Sequence, residues 1–238
     1  MRKVNWGIIG LGNVAQKFLE GFHGVENSNL LAIASKSKAK TLKFKNQFQI
    51  NEEFVFNKYE DLLNCKDIDI IYISLPNSYH YEWILRSIEK NKKVLVEKPA
   101  TLNFEEAQKL SEIIKKKNIF FNEGFMYRHD PQIKKVIELI KNNEIGEPLS
   151  MESSFGVNIL TKKKFYFFQK EKKIDKNSRQ FNNKLGGGCI LDLGCYPTSL
   201  SLLICSLVKN INYNKFKITN LVREIGSTGV DINAEAKI

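Results

Sequence analysis

The chain has 238 residues, of which 42% are hydrophobic and 11% aromatic. This ordinary globular composition excludes a disordered or fibrous protein and leaves room for one large or two modest domains. The net charge is +11 at pH 7, but the lysines are scattered along the chain, which favours a solvated basic surface over a dedicated nucleic-acid interface.

The cellular compartment can be inferred from sequence signals for membrane insertion, secretion and disulfide bonding. No uninterrupted apolar run reaches the roughly 18–20 residues of a membrane span, and the start MRKVNWGIIG resembles a first strand more than a signal peptide. Cys65, Cys189, Cys195 and Cys205 show no CxxC spacing and no clustered histidines, so we expect neither a disulfide framework nor a metal site. We therefore expect a cytoplasmic protein.

The first half alternates apolar runs with segments of helical period. Strands are predicted at 4–10, 29–34, 67–74, 93–97 and 118–124, and helices at 13–22, 38–48, 78–90 and 104–117. Near-continuous apolar strands separated by amphipathic helices predict a parallel sheet covered on both faces. Residues 1–123 are therefore expected to form an α/β domain with a doubly wound Rossmann sheet.

The pattern changes over residues 124–238. A helix is predicted at 131–143, a half-exposed strand at 149–159, a glycine-rich loop and buried helix at 186–207, and antiparallel strands at 211–225 and 230–238. This half is expected to be an α+β domain with an open, mainly antiparallel sheet. Because the chain ends inside a strand pattern, we expect this domain to be incomplete.

One segment of this half, KKKFYFFQKEKK at 162–173, interleaves cations with aromatic residues. Single-strand nucleic-acid binders use that combination, and a mobile loop over a pocket explains it equally well. We expect no specific nucleic-acid partner, although the overall field favours anionic ligands.

A glycine fingerprint follows the first predicted strand. Gly10 allows a tight turn, Gly12 allows close approach of a pyrophosphate, and Ala15 allows close packing of helix on strand. The N–H groups of the first helical residues, Asn13 and Val14, face the phosphate. In this strand–turn–helix context the motif predicts a dinucleotide site.

The end of the second strand bears on which dinucleotide binds. Ser35 and Lys36 stand where an acidic residue would hydrogen-bond the ribose 2′-hydroxyl of NAD. A cation suits a 2′-phosphate, so NADP is favoured, with NAD possible. The alternative is a plain solvated turn.

Two further segments end strands on the same edge of the sheet. Leu75, Pro76 and Asn77 are placed to line the cofactor, with His80 in the following first helical turn, where a lone histidine is more often structural than catalytic. Glu97 and Lys98 end the next strand and are expected in the same crevice, the alternative being a solvated ion pair.

The segment GGGCILDLGCYP (186–197) is the other candidate site. Asp192 and Tyr196 are four residues apart and would share a face of a helix. A buried acid and phenol need polar partners. The alternative is that Asp192 only caps the helix or forms an ion pair.

These motifs, in the order GxGxxA, PNxxH, EKP and GGGxxxDxGxYP, resemble the Gfo/Idh/MocA oxidoreductases. The most similar branch contains glucose–fructose oxidoreductase, dimeric dihydrodiol dehydrogenase and NADP-dependent xylose dehydrogenases. Further matches are Gly124–Arg128, Pro131, Gln132 and Arg179. Many inositol dehydrogenase-like members carry histidine at the position of Tyr196. Family members usually run on for about a hundred more residues, which puts the substrate pocket in doubt.

The resemblance implies a function and a set of site residues. Lys98 would contact cofactor and substrate, Tyr196 would be the catalytic acid/base, Asp192 its supporting aspartate, and Arg128 a cofactor contact. A phenol has a reference pKa of about 10, which a nearby ammonium lowers. The expected activity is hydride transfer between NADP and a sugar or cyclic polyol, by a homo-oligomer. The alternative is a non-catalytic NAD(P)-binding sensor or truncated remnant.

Overall fold

The structure is a computed structural model that describes residues 2–164, 168–171, 174–209 and 211–238, with the side chains of 162–164 and 168–171 left aside. The chain divides into two compact units, Met1–Gly124 and Phe125–Ile238. The assignment of the two stretches as cofactor and substrate domains stays a prediction.

The first unit is built on a six-stranded parallel sheet of order β3-β2-β1-β4-β5-β6. Its strands are β1 Val4–Ile9, β2 Ser28–Ala34, β3 Val55–Phe56, β4 Ile70–Ile73, β5 Lys93–Val96 and β6 Phe121–Glu123. Its helices are α1 Asn13–Glu20, α2 Lys38–Phe48, α3 Tyr59–Asn64, α4 His80–Glu89 and α5 Phe104–Lys117. The predicted doubly wound Rossmann sheet is confirmed.

Alternation along the strands divides the core into two layers. Ile8, Ile33 and Tyr72 point to one face, where they pack with residues of α1 and α2. Ile9 and Ile71 point to the opposite face, where they pack with residues of α3, α4 and α5. Because successive side chains of a strand point to opposite faces, near-continuous apolar strands require helices on both sides.

Side-chain caps fix where two of these helices begin. Ser37 accepts a hydrogen bond from the backbone N–H of Lys40 at the start of α2, and Asn103 accepts one from that of Glu106 at the start of α5. Such caps satisfy N–H groups that have no partner inside the helix. Both helices have the bounds that the sequence predicts.

The second unit contains α6 Pro131–Lys141, β7 Thr161–Lys164, β8 Phe168–Glu171, α7 Cys195–Cys205, β9 Asn220–Ile225 and β10 Asp231–Lys237. The pairs β7–β8 and β9–β10 are antiparallel. The antiparallel strands predicted at 211–225 and 230–238 are confirmed as β9 and β10, although β9 begins at Asn220, because Tyr213–Lys215 forms a short 3₁₀ turn. The pair β7–β8 was not predicted.

The strand predicted at 149–159 is wrong, since this stretch has no regular secondary structure. An alternating pattern supplies a face to bury but not the partner whose backbone hydrogen bonds make a strand. Within the described ranges no strand pairs with it. Residues 165–167 and 172–173 of the basic aromatic segment lie outside the described residues, so the two interpretations of that segment stay open.

The predicted helix at 186–207 forms, but it is less buried than expected. Within α7 only Ser199 and Ile204 are buried. Among the described residues, one helical stretch, Asn183–Cys205, is long and apolar enough by length and composition to cross a membrane. The sequence pattern did not predict this span, because Lys184 and Asp192 interrupt its apolar residues. Core helices of soluble proteins satisfy the same criterion.

Candidate functional site

The loop after β1 contains two glycines, Gly10 and Gly12, which differ in backbone conformation and in the space around them. Gly10 has a φ of +89°, and a Cβ there would lie 2.8 Å from the carbonyl oxygen of Ser74. Both facts require glycine at this turn. At Gly12, by contrast, a Cβ would meet no atom of the described residues within 4 Å. The space in front of Gly12 is therefore open to a ligand.

The helix that follows is suited to an anion. Gly12 occupies the N-cap position of α1, where no side chain accepts a hydrogen bond from the helix. Asn13 and Val14 are exposed, and Ala15 is fully buried against the sheet. The first N–H groups of a helix lack partners inside it and carry a partial positive charge. The open space at Gly12 and this uncapped terminus fit the pyrophosphate of a dinucleotide.

The segment after β2 is basic. Ser35 is buried and accepts a hydrogen bond from the backbone N–H of Ser37 at 3.2 Å. Lys36 is exposed, and its Nζ lies 5.8 Å from the ring centroid of Tyr59. Five lysines and no acidic residue occur between Ser35 and Glu52. This end of the sheet fits a negatively charged group better than a neutral hydroxyl.

His80 lies between the ends of two neighbouring strands. It is fully buried, with Nδ1 2.7 Å from the carbonyl oxygen of Pro99 and Nε2 2.8 Å from that of Leu75. Pro76 is half-buried and Asn77 is buried. The ring thus connects the segment after β4 with the segment after β5, which supports the structural interpretation of this histidine.

The end of β5 is held by a tyrosine of β4. The hydroxyl of Tyr72 donates to Oε1 of Glu97 at 2.5 Å, and the backbone N–H of Ala100 donates to Oε1 of Glu123 at 2.7 Å. Lys98, between these anchored residues, is half-buried. Two fixed carboxylates therefore flank the segment that carries Lys98.

In the second unit, Asp192 lies in a π-helical turn, Ile190–Gly194, that leads directly into α7. Its Oδ1 accepts a hydrogen bond from Nη1 of Arg179 at 2.9 Å, and its side chain is 16% exposed. The ion pair fixes one side of the carboxylate. Single π turns inside helices occur frequently at functional sites.

Tyr196 follows in the first turn of α7 and is surrounded by aromatic rings. The ring centroids of Phe125 and Phe155 lie 5.7 and 5.3 Å from that of Tyr196, both edge-on, and that of Tyr127 lies 6.2 Å away. Edge-to-face pairs of this kind restrict the orientation of a ring.

Arg128 belongs to the same region of the second unit. Its Nη2 donates to Oγ of Ser199 at 3.0 Å, and its guanidinium lies 5.9 Å from the ring centroid of Phe125. The hydroxyl of Tyr127 lies 2.8 Å from the same Oγ. The cofactor contact expected for Arg128 stays a prediction.

The predicted residues thus form two groups. In the first unit, Oγ of Ser74 donates to the carbonyl oxygen of Gly10 at 2.7 Å, and His80 connects Leu75 to Pro99. The second unit places Asp192 and Tyr196 on one helical stretch. The joint action of Lys98 with Asp192 and Tyr196 stays a prediction.

Sequence reasoning did not find the roles of Tyr72, Arg179 and Ser199. Tyr72 had a usable signal, since a hydroxyl in the buried strand IIYI needs a polar partner. The pairing of Arg179 with Asp192 and the contacts of Ser199 join separate segments, and no local pattern indicates them.

Comparison with known proteins adds the family. The sequence model of the oxidoreductase family with an NAD-binding Rossmann fold matches residues 4–125, and that of the GFO/IDH/MocA C-terminal domain matches residues 133–236. Together the two matches extend over nearly the whole chain.

Individual relatives agree with this. A dTDP-3,4-didehydro-2,6-dideoxy-alpha-D-glucose 3-reductase of Saccharopolyspora spinosa is 32% identical over 83% of this chain and 55% of its own length. A D-xylose 1-dehydrogenase (NADP(+)) of Hypocrea jecorina is 29% identical over 82% of this chain and 51% of its own. The crystal structure of a 3-ketoreductase from Actinomadura kijaniata with NADP and TDP-benzene has a TM-score of 0.80 at 25% identity, over 99% of this chain and 66% of that one.

The chain spans about half the length of the two curated relatives named here. Within that span, the strand order and the glycine turn are those of a Rossmann domain, and the models of both family domains match. The chain belongs to the Gfo/Idh/MocA oxidoreductase family.

Proposed function

We propose that this protein is an NADP-preferring oxidoreductase that interconverts a hydroxyl and a carbonyl group of a sugar or cyclic polyol. The observation that carries the proposal is the open space in front of Gly12, at the uncapped start of α1. A dinucleotide pyrophosphate fits this site, because uncapped helix N–H groups bind anions. Lys98 follows the end of β5, on the same edge of the same sheet.

The preference for NADP rests on the segment after β2. Lys36 stands where NAD-specific sites place a carboxylate, and no acidic residue occurs between Ser35 and Glu52. The ammonium of Lys36 would bind the 2′-phosphate, while an acid there would repel it. The xylose dehydrogenase relative is named for NADP(+), and NADP is present in the ketoreductase structure, which agrees with this choice.

The chain's own residues would handle the proton and the substrate. A bound nicotinamide supplies the hydride acceptor or donor. Tyr196 would accept the carbinol proton during oxidation and return it during reduction. Lys98 would stabilise the negative charge that develops on the substrate oxygen. Asp192, held by Arg179, would orient the substrate hydroxyl or the lysine.

The substitution Tyr196→Phe tests this role, because it removes the hydroxyl and keeps the ring. We expect kcat to fall by about a hundredfold or more, with NADP affinity unchanged in a fluorescence titration. The substrates to screen are aldoses, inositols and nucleotide sugars.

Tyr127→Phe is the matched control, since it removes a hydroxyl from a neighbouring ring. Equal turnover of the Tyr196→Phe variant and the wild type would contradict the acid/base role. Tight NADP binding by a wild type that turns over no substrate would favour the non-catalytic sensor instead.

A second test concerns the cofactor. Lys36→Ala should weaken NADP binding about tenfold, the effect of losing one hydrogen bond to a charged group, and leave NAD binding unchanged. The control is Lys109→Ala, which removes the same charge from an exposed position of α5. Tighter binding of NAD than of NADP by the wild type would contradict the preference.

We also place the protein in the cytoplasm as a homo-oligomer. All four cysteines lie within the described residues, and none forms a disulfide, in agreement with a reducing compartment. Leu221, Val222 and Ile225 of β9 are between 47% and 61% exposed. An apolar strand of this kind supports pairing with a second copy.

A further inference from the structure

A carboxylate of β10 contacts the start of the helical stretch that carries Asp192 and Tyr196. Oδ2 of Asp231 accepts a hydrogen bond from the backbone N–H of Ile190 at 2.7 Å and one from Sγ of Cys189 at 3.0 Å. These residues are about 40 positions apart in sequence. The contact therefore fixes the hairpin β9–β10 against this helix.

The helix has no cap of its own at this point. Cys189 precedes the π turn Ile190–Gly194 and gives it no side-chain hydrogen bond. Asp231 supplies the missing acceptor from another element. A carboxylate is well suited to this place, because the N-terminus of a helix carries a partial positive charge.

The same carboxylate lies next to Gly188, the glycine before the helix. Gly188 has a φ of +107°, and a Cβ there would lie 2.4 Å from Oδ1 of Asp231. The carbonyl oxygen of Gly188 accepts the backbone N–H of Asp192 at 3.0 Å. Asp231 therefore lies next to Gly188, whose carbonyl oxygen binds the backbone N–H of Asp192 in the first turn of the helix.

We propose that Asp231 is a positioning residue, which holds the start of this helix so that Asp192 and Tyr196 keep the orientation that catalysis needs. The proposal rests on the proposed function. Asp231 acts through the backbone of Ile190 and the thiol of Cys189, while Arg179 binds the Asp192 carboxylate directly.

The thiol of Cys189 reports on this contact. Burial, followed by the hydrogen bond to Asp231 and the charge of Asp231, raises the pKa of Cys189 to about 12. The group therefore stays a thiol at neutral pH and donates to the carboxylate. Because thiolates react with alkylating reagents and thiols do not, removal of the Asp231 charge should make Cys189 more reactive.

The experiment compares Asp231→Asn, Asp231→Ala and a control, Glu235→Gln, which neutralises an exposed carboxylate of the same strand. Alkylation by iodoacetamide at pH 8.5 is followed by peptide mass spectrometry. We expect Cys189 to react about tenfold faster in both Asp231 variants and at the wild-type rate in the control. Cys205, at the far end of α7, should be unaffected and so excludes general unfolding.

Steady-state kinetics measures the consequence for catalysis. We expect Asp231→Ala to lower kcat by about ten- to a hundredfold, the effect of a misplaced catalytic group, with KM changed less than about twofold. Asp231→Asn keeps an acceptor for the N–H of Ile190, so its kcat should lie within about threefold of wild type.

The results separate the two proposals. Unchanged alkylation of Cys189 in both variants overturns the contact, and faster alkylation with wild-type kcat in Asp231→Ala overturns the positioning role. Absence of turnover in the wild type defeats the proposed function and the positioning role together. The alkylation contrast still decides whether Asp231 holds the helix.

Discussion

Tyr72 shows how one hydroxyl in an aliphatic strand fixes a neighbouring site. Its ring is buried and lies 4.1 Å, between centroids, from that of Phe18. Burial, followed by the nearby Glu97 carboxylate, raises the pKa of Tyr72 above its ordinary value. The phenol therefore stays protonated and donates to Glu97, next to Lys98.

The substitution Tyr72→Phe should lower the free energy of unfolding by about 1.5–3 kcal/mol, the usual contribution of a hydrogen bond to a charged group. Urea denaturation measures it. Tyr81→Phe, which removes a hydroxyl from a half-buried tyrosine of α4, should change the free energy by less than about 0.5 kcal/mol. Equal losses in the two variants would show that the contact with Glu97 adds nothing.

At the scale of elements, the start of α1 separates the requirements of folding from those of binding. Gly10 is required by its backbone conformation and by the carbonyl of Ser74, whereas Gly12 has an ordinary φ of −99° and open space in front of it. Its lack of a side chain therefore serves a ligand more than the fold.

We expect Gly12→Ala to change the free energy of unfolding by less than about 1 kcal/mol and to weaken dinucleotide binding at least about tenfold, since the new methyl group occupies the space of the pyrophosphate. Gly10→Ala should destabilise the fold by about 1–3 kcal/mol through backbone strain. Thermal unfolding and cofactor titration of both variants test this contrast. Undiminished binding by Gly12→Ala would refute it.

How well the sequence predicts an element depends on where its determinants lie. The bounds of α2 and α5 follow from local caps, Ser37 and Asn103, and were predicted correctly. A strand at 149–159 would need a partner strand, and these residues, all of them described, form no strand. The π turn before α7 has no local sequence signal, because its bonding pattern differs from an α-helix by one residue.

At the scale of the whole molecule, the fold class and the candidate residues could be predicted, but the contacts between distant segments could not. The glycine turn, the EKP segment and the Asp192–Tyr196 pair are short motifs with their own spacing. The bonds of Tyr72 to Glu97 and of Arg179 to Asp192 link separate segments. Such links emerge only when the chain is packed in three dimensions.

The basic segment after β2 also has a kinetic consequence. Its five lysines, of which Lys45 is paired with Glu52, lie within a chain of net charge +11 and produce a field that attracts a polyanionic cofactor before any contact forms. The Debye length is about 10 Å at 0.1 M salt, so this attraction weakens as ionic strength rises. The association rate should therefore fall steeply with salt, while the dissociation rate, set by close contacts, changes little.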